Sequence, residues 1–175
     1  MVVAYCHVEA KAYSANNHNA LRAGYVKLGG VAVWQASWAG QFPNLRGVNT
    51  ILVDPYSCSV KERRHYDTWL SDANSIQLRD YLTQLSPGSI LVGVSADEPT
   101  THLSPALSVL GQLGVNVRDV NVRGAFAFIA QKGYPAKTVL RKVLTEAEAF
   151  TNQPQFQIII RGRPMLYTAL MLLIR

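Results

Sequence analysis

Ser89-Ile90-Leu91-Val92-Gly93-Val94-Ser95-Ala96-Asp97-Glu98 is the stretch around which this chain is organised. Its apolar residues follow one another instead of alternating, which is the pattern of a strand buried on both faces. The turn Ser86-Pro87-Gly88 leads into it, and the acidic pair Asp97-Glu98 before Pro99 ends it. Ligands of layered α/β folds sit at the carboxyl ends of central strands, so the pair marks a candidate site. On position alone the pair equally fits solvated turn residues leading into a helix.

Working outward, Asp72 is a candidate N-cap for a helix through Leu85, with Ile76, Leu78, Leu82 and Leu85 in its apolar stripe. Pro87-Gly88 stops that helix. On the other side Ser104 and Pro105 open a second helix that ends at Gly114. Extended segments are expected at 1–12, on either side of Gly29-Gly30 within 21–36, and at 48–55 returning over 59–66. Others are expected at 117–122, 125–130 and 156–160, while 138–149 reads as strand or helix, with a strand over 138–144 preferred. Trp34 sits in an apolar strand and belongs to a core. Trp38, beside a loop, is either exposed or a lid. No linker or internal repeat divides the sequence, so residues 1–175 form one domain.

Composition narrows the class. Forty-nine per cent of the 175 residues are hydrophobic and 16% charged, enough for one buried core and unlike a disordered chain. The net charge of +6 favours acidic partners in general. Its only local concentration is Lys61-Glu62-Arg63-Arg64, without the aromatic-interleaved face of a nucleic-acid binder, so no nucleic acid is expected. The apolar run Met165–Ile174 is half as long as the roughly 20 residues of a membrane helix. It packs on the core or contacts a second copy, and otherwise is foreign to the domain. No basic-then-apolar leader follows Met1, which fits a cytosolic chain or a mature form. Cys6 and Cys58 have no metal or redox spacing, and are either buried thiols or a disulfide.

The sequence lacks the patterns of several chemistries. His7, His18, His65 and His102 share no ligand spacing, so no metal centre is expected. No nucleophile elbow or phosphate loop is present. Asp97 and Glu98 offer oxygens suited to calcium, yet no calcium-loop pattern surrounds them. Asp54, Asp67, Asp97 and Glu98 contain a carboxylate pair for glycoside hydrolysis only if two stand at the required separation.

Four segments together resemble the interleukin-like epithelial–mesenchymal transition inducer (ILEI) domain family. They are Arg46–Pro55, the corner Tyr66-Asp67-Thr68-Trp69, Leu85–Val94 followed by Asp97-Glu98, and Val122–Gly133. They fall in order across residues 46–133. The resemblance implies an α/β fold, a two-layer β-sheet sandwich with two covering helices, working extracellularly and with no catalytic residues or cofactor of its own. Such domains occur in secreted cytokine-like proteins, in hyaluronan-associated cell-surface proteins, and as the carbohydrate-binding stem of an O-mannose N-acetylglucosaminyltransferase. In that stem an aspartate after the central strand and an arginine of a W-R-D-type segment contact the sugar; the matching positions are Asp97 and Arg123. Here Gly124 replaces the acidic residue after that arginine, the connection from Gly114 to Arg123 is shorter, and the family's extra cysteines are absent.

The sequence therefore predicts a carbohydrate-binding module with a shallow site at Asp97 and Arg123, with Glu98, His102 and Trp69 as a second ring of contacts. Its partner would be a glycan or glycoprotein, and a symmetric homodimer through 165–175 would add avidity. A cytokine-like ligand for a cell-surface receptor is the alternative function, and a glycoside hydrolase the third.

Overall fold

Strand β7 (Ile90–Asp97) is buried along its whole length, with β5 (Gly47–Asp54) antiparallel on one side and β8 (Ala125–Gln131) antiparallel on the other. A computed structural model describes residues 6–14, 23–37, 43–54, 56–143, 156–161 and 168–172. Beyond β5 lies β6 (Ser59–Tyr66), and beyond β8 lies β9 (Val139–Val143), giving the order β6-β5-β7-β8-β9. A second sheet combines β1 (Cys6–Lys11), β3 (Ala23–Leu28), β4 (Val31–Ser37), β10 (Phe156–Arg161) and β11 (Thr168–Leu172) in the order β11-β10-β1-β3-β4. Two helices, α1 (Asp72–Gln84) and α2 (Leu107–Gln112), cover the other face of the first sheet. The fold is the expected sandwich with two covering helices.

The alternation of side chains along β7 explains why its run is unbroken. Ile90, Val92, Val94 and Ala96 meet Val8, Val26 and Trp34 of the second sheet, whereas Leu91 faces Leu78, Leu82 and Leu110 of the helices. Leu78 and Leu82 are wholly buried, worth about 1.5–3 kcal/mol each. Gly93 faces the helices, with the Phe128 ring lying where its side chain would be. A Cβ there would stand 2.2 Å from two ring atoms.

Three local expectations differ from the structure. Ser71, not Asp72, holds the N-cap position, and Asp72 opens the first turn. Ile76 is exposed, and Ser75 and Tyr81 join Leu78 and Leu82 on the buried face of α1. Residues 117–122 are not a strand: turns close from Val120 N to Val117 O and from Gly124 N to Asn121 O. Spacing by three then buries both Val117 and Val120 while leaving Val122 exposed. Trp34 is core, as expected. Trp38 lies outside the described residues, as do 165–167 and 173–175 of the apolar tail. Among the described residues no helix is long and apolar enough to cross a membrane. Cys58 is disulfide-bonded, and Cys6 is the one other cysteine of the sequence.

Candidate functional site

The two central ladders part at the end of β7. The β7–β8 pairing stops at Val94 and Ala127, and Ser95 Oγ instead accepts the Phe126 N–H at 2.8 Å. A two-residue strand, β2 (Tyr13–Ser14), pairs in parallel with Ala96 and Asp97. Since β5 holds the opposite edge through Gly47 and Ala96, β2 takes the side that β8 vacates. This parting of neighbours gathers four chain segments, the ends of β2 and β7 and the starts of β5 and β8, around the strand's carboxyl end.

Asp97 stands there in left-handed backbone, φ 61°, and Arg123 is left-handed as well, φ 62°. Among the described residues Cys58 alone shares this conformation without being glycine. Such backbone costs about 1–3 kcal/mol and persists where the surroundings enforce it. At Arg123, Glu98 does the enforcing. Its Oε2 accepts the Arg123 backbone N–H, and its Oε1 accepts the N–H and hydroxyl of Thr100, both at 2.7 Å. One carboxylate thus fixes the turn after β7 and the turn before β8.

Asp97 and Glu98 are both 4% exposed, so they are not the solvated turn residues that their position alone allowed. Burial holds the Asp97 carboxyl above the usual carboxylate range. The Asn44 hydrogen bond and the charge of Arg46 oppose that, the charge of Glu98 adds to it, and that of Arg123 lowers it again. Asn44 Nδ2 donates to Asp97 Oδ2 at 3.2 Å, while Asn44 Oδ1 accepts from the buried Tyr13 hydroxyl at 2.9 Å. Burial, then the charge of Asp97, pushes the Tyr13 phenol well above its ordinary value.

The rim beside Asp97 is built by the corner 66–69. Arg46 Nε and Nη2 donate to the two oxygens of Asp67 at 3.1 and 2.8 Å, and the guanidinium lies 3.9 Å from the centroid of the Trp69 ring. The hydrogen bond to Asp67 is the main reason the Arg46 pKa is raised. Thr68 bolts this corner to the turn after β7: its hydroxyl donates to Pro99 O at 2.6 Å, and its carbonyl accepts the His102 N–H at 2.9 Å. His102 Nδ1 in turn lies 2.9 Å from Asp72 Oδ1, at the start of α1.

Of the residues expected from sequence, the structure brings Asp97, Glu98 and Arg123 together at the carboxyl end of β7. Trp69 and His102 stand along the adjoining rim. Sequence reasoning missed Tyr13, Asn44 and Arg46 as parts of this arrangement. A usable signal existed for Arg46 alone, in the Arg46-Gly47 start of β5 and the Asp67 corner. Among the described residues no group of three or more His, Cys, Asp or Glu is placed to hold a metal ion.

A family model described as interleukin-like EMT inducer matches residues 46–134. Protein FAM3A of Mus musculus is 30% identical over 95 residues, which cover 53% of this chain and 40% of that protein. Protein FAM3A of Homo sapiens matches with the same identity and the same coverage. The similarity thus spans well under half of these relatives' length. The matched segment contains both helices, the four strands from β5 to β8, and all of the site except Tyr13 and Asn44. The chain belongs to the interleukin-like EMT inducer family.

Proposed function

We propose that this chain is a lectin, a carbohydrate-binding module that works outside the cell without catalysis. The observation that carries the reading is the pair of left-handed residues, Asp97 and Arg123, brought together through Glu98, which follows the first in sequence and accepts the backbone N–H of the second. Vicinal sugar hydroxyls both donate and accept. Asp97, whose Oδ2 already holds Asn44 Nδ2, accepts from one of them, and the Arg123 guanidinium donates to a ring or hydroxyl oxygen. The half-exposed Trp69 ring offers a stacking face to the apolar side of a pyranose. Glu98 serves by holding the backbone, and His102 by joining α1 to the rim. A glycan array, run with and without a chelator and competed with free monosaccharide, tests this. An array without hits refutes it.

A receptor ligand is the second reading, favoured by the exposed apolar side chains Trp69, Leu70 and Val122. Binding to cells stripped of their glycans would select it. A homodimer accompanies either reading, with β11, the outer strand of its sheet, offered to a second copy. Light scattering of a chain ending at Pro164 tests that, and an unchanged mass removes the tail from the argument.

A further inference from the structure

Charge is distributed against expectation in this protein. The chain carries +6, yet the site and its rim hold Asp67, Asp72, Asp97 and Glu98 against Arg46 and Arg123. That is four carboxylates to two guanidinium groups in a basic molecule. The partnering matters more than the count. A ligand carboxylate is best gripped by the two-pronged fork of an arginine. The fork of Arg46, the cation that acts most strongly on Asp97, is already closed on the carboxylate of Asp67, and its flat face is against Trp69. On Arg46, the stronger of the two cations acting on Asp97, Asp67 therefore occupies the position an anionic ligand would need.

We propose that the site selects neutral sugars over anionic ones, and that Asp67, by closing the Arg46 fork, is the residue that sets this selectivity. The proposal rests on the lectin reading and adds to it the class of sugar. Asp67 acts through Arg46 and the local charge, so it is a positioning residue whose removal changes the ratio of ligands more than the affinity for any one. Asp67→Asn is the informative substitution. It keeps the Oδ1 acceptor that receives the Leu70 N–H at 3.2 Å, while removing the negative charge and one of the two acceptors of Arg46.

The test is an array carrying matched pairs of glycans, each neutral backbone beside its uronate or sulfated counterpart, read at one fixed ionic strength. Signal that survives Asp97→Ala comes from the basic surface elsewhere and is subtracted. The wild type is expected to favour the neutral member of each pair, and Asp67→Asn to shift that ratio towards the anionic member by about tenfold. Asp67→Glu, which retains the charge, should restore the neutral preference. A wild-type preference for the anionic members at this site overturns the proposal and leaves the lectin reading standing. So does a folded Asp67→Asn protein whose ratio has not moved. No site-dependent signal for either class overturns both. Should the Asn variant fail to fold, Asp67→Ser, read in the same way, decides whether Asp67 sets the ratio.

Discussion

Replacing Gly47 with alanine should loosen the entire rim. Gly47 opens β5 with φ +100°, and a Cβ there would stand 2.2 Å from Tyr66 O, 2.6 Å from Thr68 N and 3.0 Å from Asp67 Cα. All three are main-chain atoms, which cannot rotate aside. Nor can the corner step back, since Thr68 is bolted through Pro99 and His102. Backbone strain costs about 1–3 kcal/mol, and forcing the corner outward about 1–3 kcal/mol more. A loss of about 2–6 kcal/mol is a large part of the roughly 5–15 kcal/mol of a typical domain. At about 2–4 °C per kcal/mol for this size, the melting midpoint should fall by about 4–24 °C. Gly29→Ala is the control, because Gly29 is also left-handed but has nothing within 4 Å of its would-be Cβ. It should cost only the conformational part, about 1–2 kcal/mol. Thermal melts followed by circular dichroism compare the two. If Gly47→Ala melts no lower than Gly29→Ala, the close approach does not constrain the corner and the reasoning fails.

Asp97→Asn should raise stability near neutral pH. Burial lifts the folded-state pKa, so the native form favours the protonated acid; that contribution is full below the unfolded pKa of about 3.9 and is lost as pH rises through the folded value. Urea midpoints measured across pH should show the variant's advantage shrinking as pH falls; a constant difference would refute it. Arg123→Ala keeps the backbone N–H that Glu98 binds, so it should fold while weakening sugar binding by about tenfold to a hundredfold, as calorimetric titration would show. Gly93→Ala drives a methyl into Phe128 and should cost about 1–3 kcal/mol by urea denaturation. Thiol titration of the unfolded, unreduced protein should find no free thiol, and reduction should cost about 3–4 kcal/mol for a loop of roughly 50 residues.

The parts of the fold legible in the sequence were those with a local cause. A strand covered on both faces loses its alternation, so β7 announced itself, and Gly29-Gly30 announced the β3–β4 turn. Asp97 and Glu98 were legible as a place but not as an environment, because what buries them comes from distant segments. Tyr13 and Asn44 are 31 residues apart, and Asn44 is 53 from Asp97. No periodicity links such residues, and Asn44 sat in a stretch that reads as a plain loop. Residues 117–122 misled for a related reason. Valines at 117, 120 and 122 suit a strand by propensity, but two successive turns bury the first two and expose the third.

The parallel strand β2 has a consequence for how the protein can be dissected. The family match begins at Arg46, whereas the Tyr13–Asn44 relay that reaches the buried carboxylate comes from before it. A fragment cut at the edges of the matched segment would retain the rim, both helices and Asp97 itself. It would also strip the β2 partner from the last two residues of β7 and uncover the face of β7 that packs on the second sheet. Such a fragment would be a misleading reagent, since a failure to bind would report a missing layer of the fold and not a missing function.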